Sequence, residues 1–257
     1  VEAQTQVERK VCPHCNGAGW IRVETPGRLV PRVEMCHCLR KEVGLRRADR
    51  LLAASGIPAK ALQRWRFRDF QPDQCKMSSG ALRPQVVATM QKIKAECMAY
   101  AKKPEGWRVL MGPCGSGKTH LAYAIAGSCQ KRGMAVFVAT APDMLDMLRA
   151  SYRTEQFDQR FEELRNVGLL VIDDLATEQA TAWVLEKMYQ LVNHRYMAEL
   201  PLIITTNLNI RKHPAQIDER ILSRLLEGTE QQNGRCRLWI LPAASYRESS
   251  GKVHSRR

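Results

Sequence analysis

Two groups of residues in this chain have the types and spacing to do chemistry. The first is GPCGSGKTH, in which Gly112 to Thr119 satisfy G-x4-G-K-T in full. Backbone N–H groups of such a glycine-rich loop cradle phosphates, a lysine placed like Lys118 neutralises β- and γ-phosphate oxygens, and a hydroxyl placed like Thr119 coordinates Mg2+. The apolar run WRVLMG before it reads as a strand. HLAYAIAGSCQKRG after it reads as a helix that turns its positive N-terminal end toward the same anion. Candidate nucleotide contacts are therefore Gly112, Pro113, Cys114, Gly115, Ser116, Gly117, Lys118, Thr119 and His120. Hydrolysis also needs an acidic Mg2+ holder at a neighbouring strand end. VGLLVIDD supplies Asp173 for that role and Asp174 to orient or deprotonate the attacking water. A third apolar run, PLIITTN, ends at Asn207, whose amide suits the water or the γ-phosphate. Alone, an asparagine after a strand is most often a turn or cap residue; its place as the third strand-end polar group gives it weight.

The second group is Cys12, Cys15, Cys36 and Cys38, in the pattern C-x2-C-x20-C-x-C. Four thiolates suit tetrahedral Zn2+, and a set with no open position is structural rather than catalytic. Gly17 and Gly19 permit the tight turn that presents the first pair. The intervening WIRVETPGRLVPRVEM alternates around Pro26-Gly27 and reads as two strands joined by a turn, in outline a zinc ribbon. His14 and His37 lie between the thiols and could replace one of them. The other five of the nine cysteines are scattered, which fits reduced thiols better than a disulfide framework.

These residues need a scaffold. Apolar strands around Val109, Met134–Thr140, Leu169–Ile172, Leu202–Thr206 and Cys236–Leu241 alternate with helical stretches, including one over Pro84–Lys103. That order predicts an α/β fold with a parallel five-stranded sheet covered by helices, its ligand beyond the strand C-termini. The 257 residues suffice for one such domain and a small appendage. Hydrophobic residues at 44% and charged residues at 26% exclude a disordered or collagen-like chain. No run approaches a membrane span, and the polar segment Val1–Lys10 lacks a signal-peptide core, so a soluble cytoplasmic protein is expected.

The net charge of +14 favours a polyanionic or acidic partner. It is unevenly placed: residues 107–228 carry 14 basic and 14 acidic side chains, whereas residues 1–60 carry 11 and 6, residues 61–106 carry 9 and 4, and residues 229–257 carry 6 and 2. A neutral core is flanked by basic segments. LRKEVGLRRADRLLAASG, Leu39–Gly56, reads as a helix with a basic face. RWRFRDFQP, Arg64–Pro72, interleaves arginines with aromatics. It suits either base stacking or, the favoured reading, an edge strand anchored on the next domain.

Taken in order, SGIP (Ser55–Pro58), GPCGSGKTHLA, LLVIDDLA, TTNLN, DERILSRL (Asp218–Leu225) and SYRESSGK (Ser245–Lys252) resemble an AAA+ ATPase. More narrowly, they resemble bacterial replicative helicase loaders of the DnaC/DnaI type and their IstB-like relatives. The resemblance covers roughly Gly56 to Lys252 and implies a Walker A loop over Gly112–Thr119, Walker B at Asp173 and Asp174, sensor 1 at Asn207 and sensor 2 at Arg247. It makes Arg224 an arginine finger, with Arg220 its helper, and so implies self-association into a ring or spiral. As an i, i+4 pair the two arginines also read as ordinary surface groups. APDMLDMLRASYRTEQFDQRFEELRN is similar to the loaders' extra helix on single-stranded DNA. Ser151 and Tyr152 match its Ser-Tyr pair, with Arg149 or Arg153 on phosphate; Met144, Leu145 and Leu148 mark a core stripe that Tyr152 could equally cap.

The resemblance implies ATP/ADP and Mg2+ as ligands, beside the Zn2+ read from the cysteine spacing, and a DnaB-type replicative helicase hexamer and single-stranded DNA as partners. The chain departs from the general pattern in ending Walker B with Asp-Asp rather than Asp-Glu, which suits slow turnover and a nucleotide-reading switch. It also has too little sequence after Arg224 for a full lid domain. The expected division is a zinc module over 1–40, a basic helical linker over 41–80 and an AAA+ domain over 81–257. The expected function is an ATP-dependent helicase loader, with an IstB-like transposition helper on duplex DNA as the alternative.

Overall fold

The computed structural model describes residues 11–23, 32–54, 62, 64–74, 84–175, 181–214, 217–230 and 236–242. At the N-terminal end, β1 (Trp20–Val23) and β2 (Arg32–Met35) pair antiparallel, with Trp20 opposite Met35 and Val23 opposite Arg32. Helix α1 (His37–Ala54) starts within the second cysteine pair, two residues earlier than the sequence pattern suggests.

The rest is built on strands β3 (Trp107–Met111), β4 (Val136–Thr140), β5 (Leu169–Asp173), β6 (Leu202–Thr206) and β7 (Cys236–Ile240). All five are parallel, in the order β4-β5-β6-β3-β7. Apart from Arg108 and the polar ends Asp173, Thr205 and Thr206, the central strands β3, β5 and β6 are apolar because helices cover both faces. Side chains alternate accordingly. Val109, Met111, Leu170, Ile172 and Ile204 face helices α4 (Ala141–Tyr152), α5 (Phe157–Asn166), α6 (Ala182–Met197) and α7 (Glu219–Glu230). Leu110, Leu169, Val171 and Ile203 face α2 (Pro84–Lys102) and α3 (Lys118–Lys131).

Arg64–Pro72 is not the edge strand that its alternation suggests. It forms two short 3-10 turns, Phe67–Asp69 and Pro72–Gln74. Phe70 is fully buried in the α2–α3 side of the core together with Leu62. Burying these two side chains against α3 outweighs a pattern that fits an edge strand equally well, so the anchoring half of the expectation stands and the strand half does not. The expected linker therefore contributes core residues to the sheet domain. Helix α1 packs on β4, an outer strand of the sheet, and on α5; Lys41 fills the space beside Gly133. No helix follows β7 among the described residues.

Candidate functional site

The strand order brings the three strand ends together. Because β6 lies between β5 and β3, Asn207 falls between Asp174 on one side and the loop after β3 on the other. The loop itself demands glycine. Gly117 has φ +95°, and a Cβ there would stand 2.5 Å from Cε2 of Phe70; a Cβ on Gly112 would stand 2.5 Å from the Leu241 carbonyl oxygen. No side chain caps α3, so the N–H groups of its first turn open onto the loop.

Lys118 is buried, and its ammonium donates to the carbonyls of Gly112 at 2.8 Å and Pro113 at 2.9 Å and to Asn207 Oδ1 at 2.7 Å. A buried ammonium costs several kcal/mol to desolvate, on the order of a few even after relaxation, unless paired or hydrogen-bonded. Here neutral oxygens hold it where a phosphate would take their place. The Ser116 hydroxyl in the same loop is buried without a hydrogen-bond partner, an unmet donor that suits a phosphate oxygen.

On the adjoining strands, Asp173 is buried, and its Oδ1 accepts from the hydroxyls of Thr119 at 3.0 Å and Thr205. Desolvation raises its pKa, the two hydroxyls oppose that shift, and the neighbouring Asp174 adds to it. A cation between Thr119 and Asp173 would relieve that burial cost, so the donor set fits Mg2+. Thr205 Oγ1 also accepts the Asp174 N–H at 2.9 Å. That bond helps hold Asp174 at φ +51°, a left-handed conformation rare outside glycine. The Asp174 carboxylate accepts from Asn207 Nδ2 at 3.1 Å. Lys118, Asn207, Asp174, Thr205, Asp173 and Thr119 thus form one continuous chain of hydrogen bonds. Its floor (Lys118, Asp173, Thr205) is buried, and its mouth (Asp174, Asn207) is exposed.

Two contributors escaped the sequence reading. Thr205 stood in the quoted TTNLN, but its role as the link between two carboxylate residues depends on cross-strand register, which no local pattern reports. Tyr123 lies against Asp173, and burial and that carboxylate push its phenol pKa up. Trp65 packs edge-on to Tyr123 at 5.8 Å and to His120 at 5.2 Å. His120 Nε2 donates to the Arg66 carbonyl at 3.0 Å, and desolvation lowers its pKa.

The second site is the cysteine cluster. All four thiol sulfurs lie within 4.8 Å of one another, with Cys12–Cys36 at 3.8 Å and Cys15–Cys38 at 3.4 Å. A tetrahedral ZnS4 centre with ~2.3 Å bonds requires S–S separations of ~3.8 Å, so the set fits zinc. The Gly19 N–H points at Cys15 Sγ from 3.3 Å. His37 approaches Cys12 Sγ to 3.8 Å and Cys36 Sγ to 3.6 Å. With four sulfurs already converging, it is placed as a neighbour of the thiols, and His14 stacks edge-on against it at 5.0 Å.

The IstB-like ATP binding protein family matches residues 46–232, from within α1 to just past α7. The chain belongs to that family. YdaV of Escherichia coli (strain K12), an uncharacterized protein, is 35% identical over 115 residues, 44% of this chain and 46% of YdaV. The phage-like element PBSX protein XkdC of Bacillus subtilis (strain 168) is 27% identical over 234 residues, 88% of this chain and 82% of XkdC. The replicative helicase loader DnaC of Escherichia coli (strain K12) is 27% identical over 135 residues, 52% of each chain. The chain thus spans about half the length of YdaV and DnaC. Among solved structures, the DnaC helicase loader has a TM-score of 0.53 at 20% identity, covering 66% of this chain and 97% of its own. That likeness establishes the AAA+ fold.

The remaining expected site residues of this IstB-like protein that are described fall at the end of α4 and on α7. Tyr152, at the end of α4, is 49% exposed and stacks on Phe157 with centroids 4.1 Å apart and planes within 7°. Ser151 is fully buried and its hydroxyl donates to the Leu148 carbonyl, so it supports the helix end and presents nothing to DNA. Arg149 is exposed, paired with Asp146 at 3.0 Å and poised 5.2 Å over the Trp183 ring; Arg153 is exposed just beyond the helix. Arg220 is gripped by Asp218 and by Glu186 of α6, both at 3.1 Å, and lies over Tyr189. Arg224 donates to Asn193 at 3.3 Å and lies over Tyr196. Both arginines therefore engage α6 of their own chain. Arg247 and the SGIP segment lie outside the described residues.

Proposed function

We propose that this protein is an ATP-dependent loader that binds a DnaB-type replicative helicase hexamer and helps place it on single-stranded DNA. Its nucleotide site is the observation that carries the reading: a buried ammonium, a buried carboxylate and an exposed carboxylate–amide pair joined in one network at three strand ends. In this reading Lys118, Ser116 and the loop N–H groups bind the phosphates. Thr119 and Asp173 hold Mg2+, and Asp174 and Asn207 orient the attacking water. Asp174 is one methylene shorter than glutamate and tied to Asn207, which supports slow turnover and a timing role. Arg224 and Arg220 act on a neighbouring subunit's nucleotide after leaving their α6 partners, and Arg247 supplies the sensor 2 charge. Tyr152, Arg149 and Arg153 meet single-stranded DNA.

The loader reading is supported by the shared sequence with DnaC, and the cytoplasm is the compartment it requires. The described residues contain no helix long and apolar enough to cross a membrane. We divide the chain functionally into the zinc module of residues 1–40, which docks the helicase, the basic segment 41–80, and the ATPase of residues 81–257. Co-purification of the full chain with the host's hexameric helicase, followed by mass measurement of the complex, tests the proposal. A defined complex that dissociates when ATP and single-stranded DNA are added supports loading. No complex with any hexameric helicase, together with tight duplex-DNA binding, overturns it in favour of a transposition helper.

A further inference from the structure

One side chain outside every role assigned above packs beside the proposed DNA-binding Tyr152. Trp183, in the first turn of α6, donates its indole N–H to the Tyr152 hydroxyl at 3.1 Å. Its ring lies 6.1 Å from the Tyr152 ring, and Arg149 lies over its face at 5.2 Å. Tyr152 already spends one ring face on Phe157 and is still 49% exposed, so its accessible surface is the other face and the ring edge. Lys187, one turn further along α6, is 5.2 Å from the Phe157 ring. Aromatic faces beside cations bind single strands by base stacking and phosphate attraction. The platform is thus made by α4, α5 and α6 together.

The involvement of α6 matters because of what precedes it. Asp174 closes the nucleotide network, and only residues 175–181 separate it from the α6 N-terminus, where the Thr181 hydroxyl caps the helix by accepting the Val184 N–H at 3.4 Å. The Tyr152–Trp183 hydrogen bond therefore ties the single-strand platform to α6, the helix that follows Asp174 in the chain.

We infer that Trp183 is a positioning residue of the single-strand site: it fixes the plane of Tyr152 for base stacking and transmits strand binding through α6 to Asp174. The inference rests on the proposal that Tyr152 meets single-stranded DNA. Trp183→Phe removes the donor and keeps a ring; Tyr152→Phe removes the acceptor and keeps the stacking face. The readout is the ratio of ATP turnover with and without saturating oligo(dT), together with oligo(dT) affinity from fluorescence anisotropy.

Each single variant should lower the turnover ratio by about fivefold, the scale of one net hydrogen bond, and the double variant should lower it no further. Oligo(dT) affinity of Tyr152→Phe should stay within about twofold of wild type, because the ring that stacks is retained. Wild-type stimulation that survives both substitutions, or effects that add in the double variant, overturns the inference and leaves the DNA reading standing. A wild-type protein that neither binds oligo(dT) nor responds to it overturns the DNA reading and this inference with it. Should Trp183→Phe fail to fold, Tyr152→Phe alone decides, since it deletes a single hydroxyl on an exposed side chain.

Discussion

The nucleotide site and the cysteine cluster are both built from side chains distant in sequence, yet they are held together differently. In the nucleotide site the buried strands set the geometry: register between β5 and β6 places Thr205 beside Asp173, and the loop geometry is enforced by Phe70 and Leu241 against glycines. Lys118 Nζ, Asp173 Oδ1 and Thr205 Oγ1 are hydrogen-bonded within the chain, and Ser116 Oγ is buried without a partner. The cysteine cluster stands on a two-stranded ribbon whose exposed residues include Trp20 at 49% and Val33 at 59%. Such a ribbon is too small to fold by its own burial. The chain's own buried contacts set the geometry of the first site, whereas the second would depend on a bound metal. Helix α1, which starts at the cysteines and packs on β4, is the physical link between them.

Removing zinc is the strongest test of this contrast. Structural zinc contributes about 10–16 kcal/mol in small modules, so chelation, or Cys15→Ser, should unfold the ribbon. Proteolysis should then cut near residues 11–40, while ATP affinity changes little. Loss of nucleotide binding in step with zinc would show that the sheet domain is not independently organised.

Thr205→Val probes the opposite region. The substitution leaves the buried Asp173 carboxylate with one donor fewer and the Asp174 N–H without its acceptor. The expected cost is about 1–3 kcal/mol, read as a drop in Tm of several degrees, and turnover should fall roughly tenfold or more because two carboxylates lose their positions. Thr205→Ser should behave as wild type. An equal loss in Ser and Val variants would assign the effect to packing rather than to the hydroxyl.

Asp173→Asn should have a smaller effect on stability, and of opposite sign. Burial raises the Asp173 pKa above its unfolded value. This carboxyl therefore favours the folded state fully below the ordinary carboxylate range and loses that contribution as pH rises through its raised value. The Asn variant should match wild type in acid and have the higher Tm above that window, while losing Mg2+-dependent turnover. A Tm difference independent of pH would mean that Asp173 is not desolvated in the folded protein.

Much of this was legible in the sequence, for physical reasons that also mark its limits. The P-loop, the strand ending at Asp173 and the cysteine spacing are local patterns in which backbone geometry dictates residue type. The five parallel strands were legible because their runs are predominantly apolar, broken only by single residues such as Arg108 and Arg237. Thr205 and Trp183 were not, since each acts on a partner reached only through the folded chain. Arg64–Pro72 misled because alternation suits an exposed edge as well as a pair of turns anchored by Phe70. Ser151 matched a motif by letter, but its hydroxyl is used inside its own helix.

The central claim, that the network around Lys118 is an ATP-hydrolysing site, is tested most directly by ATP turnover in the full zinc-loaded chain against Lys118→Ala. The account predicts Mg2+-dependent hydrolysis in wild type that falls at least about a hundredfold in the variant, the scale of losing one preorganised charged group, with the fold retained by circular dichroism. Turnover in Lys118→Ala equal to wild type would contradict it.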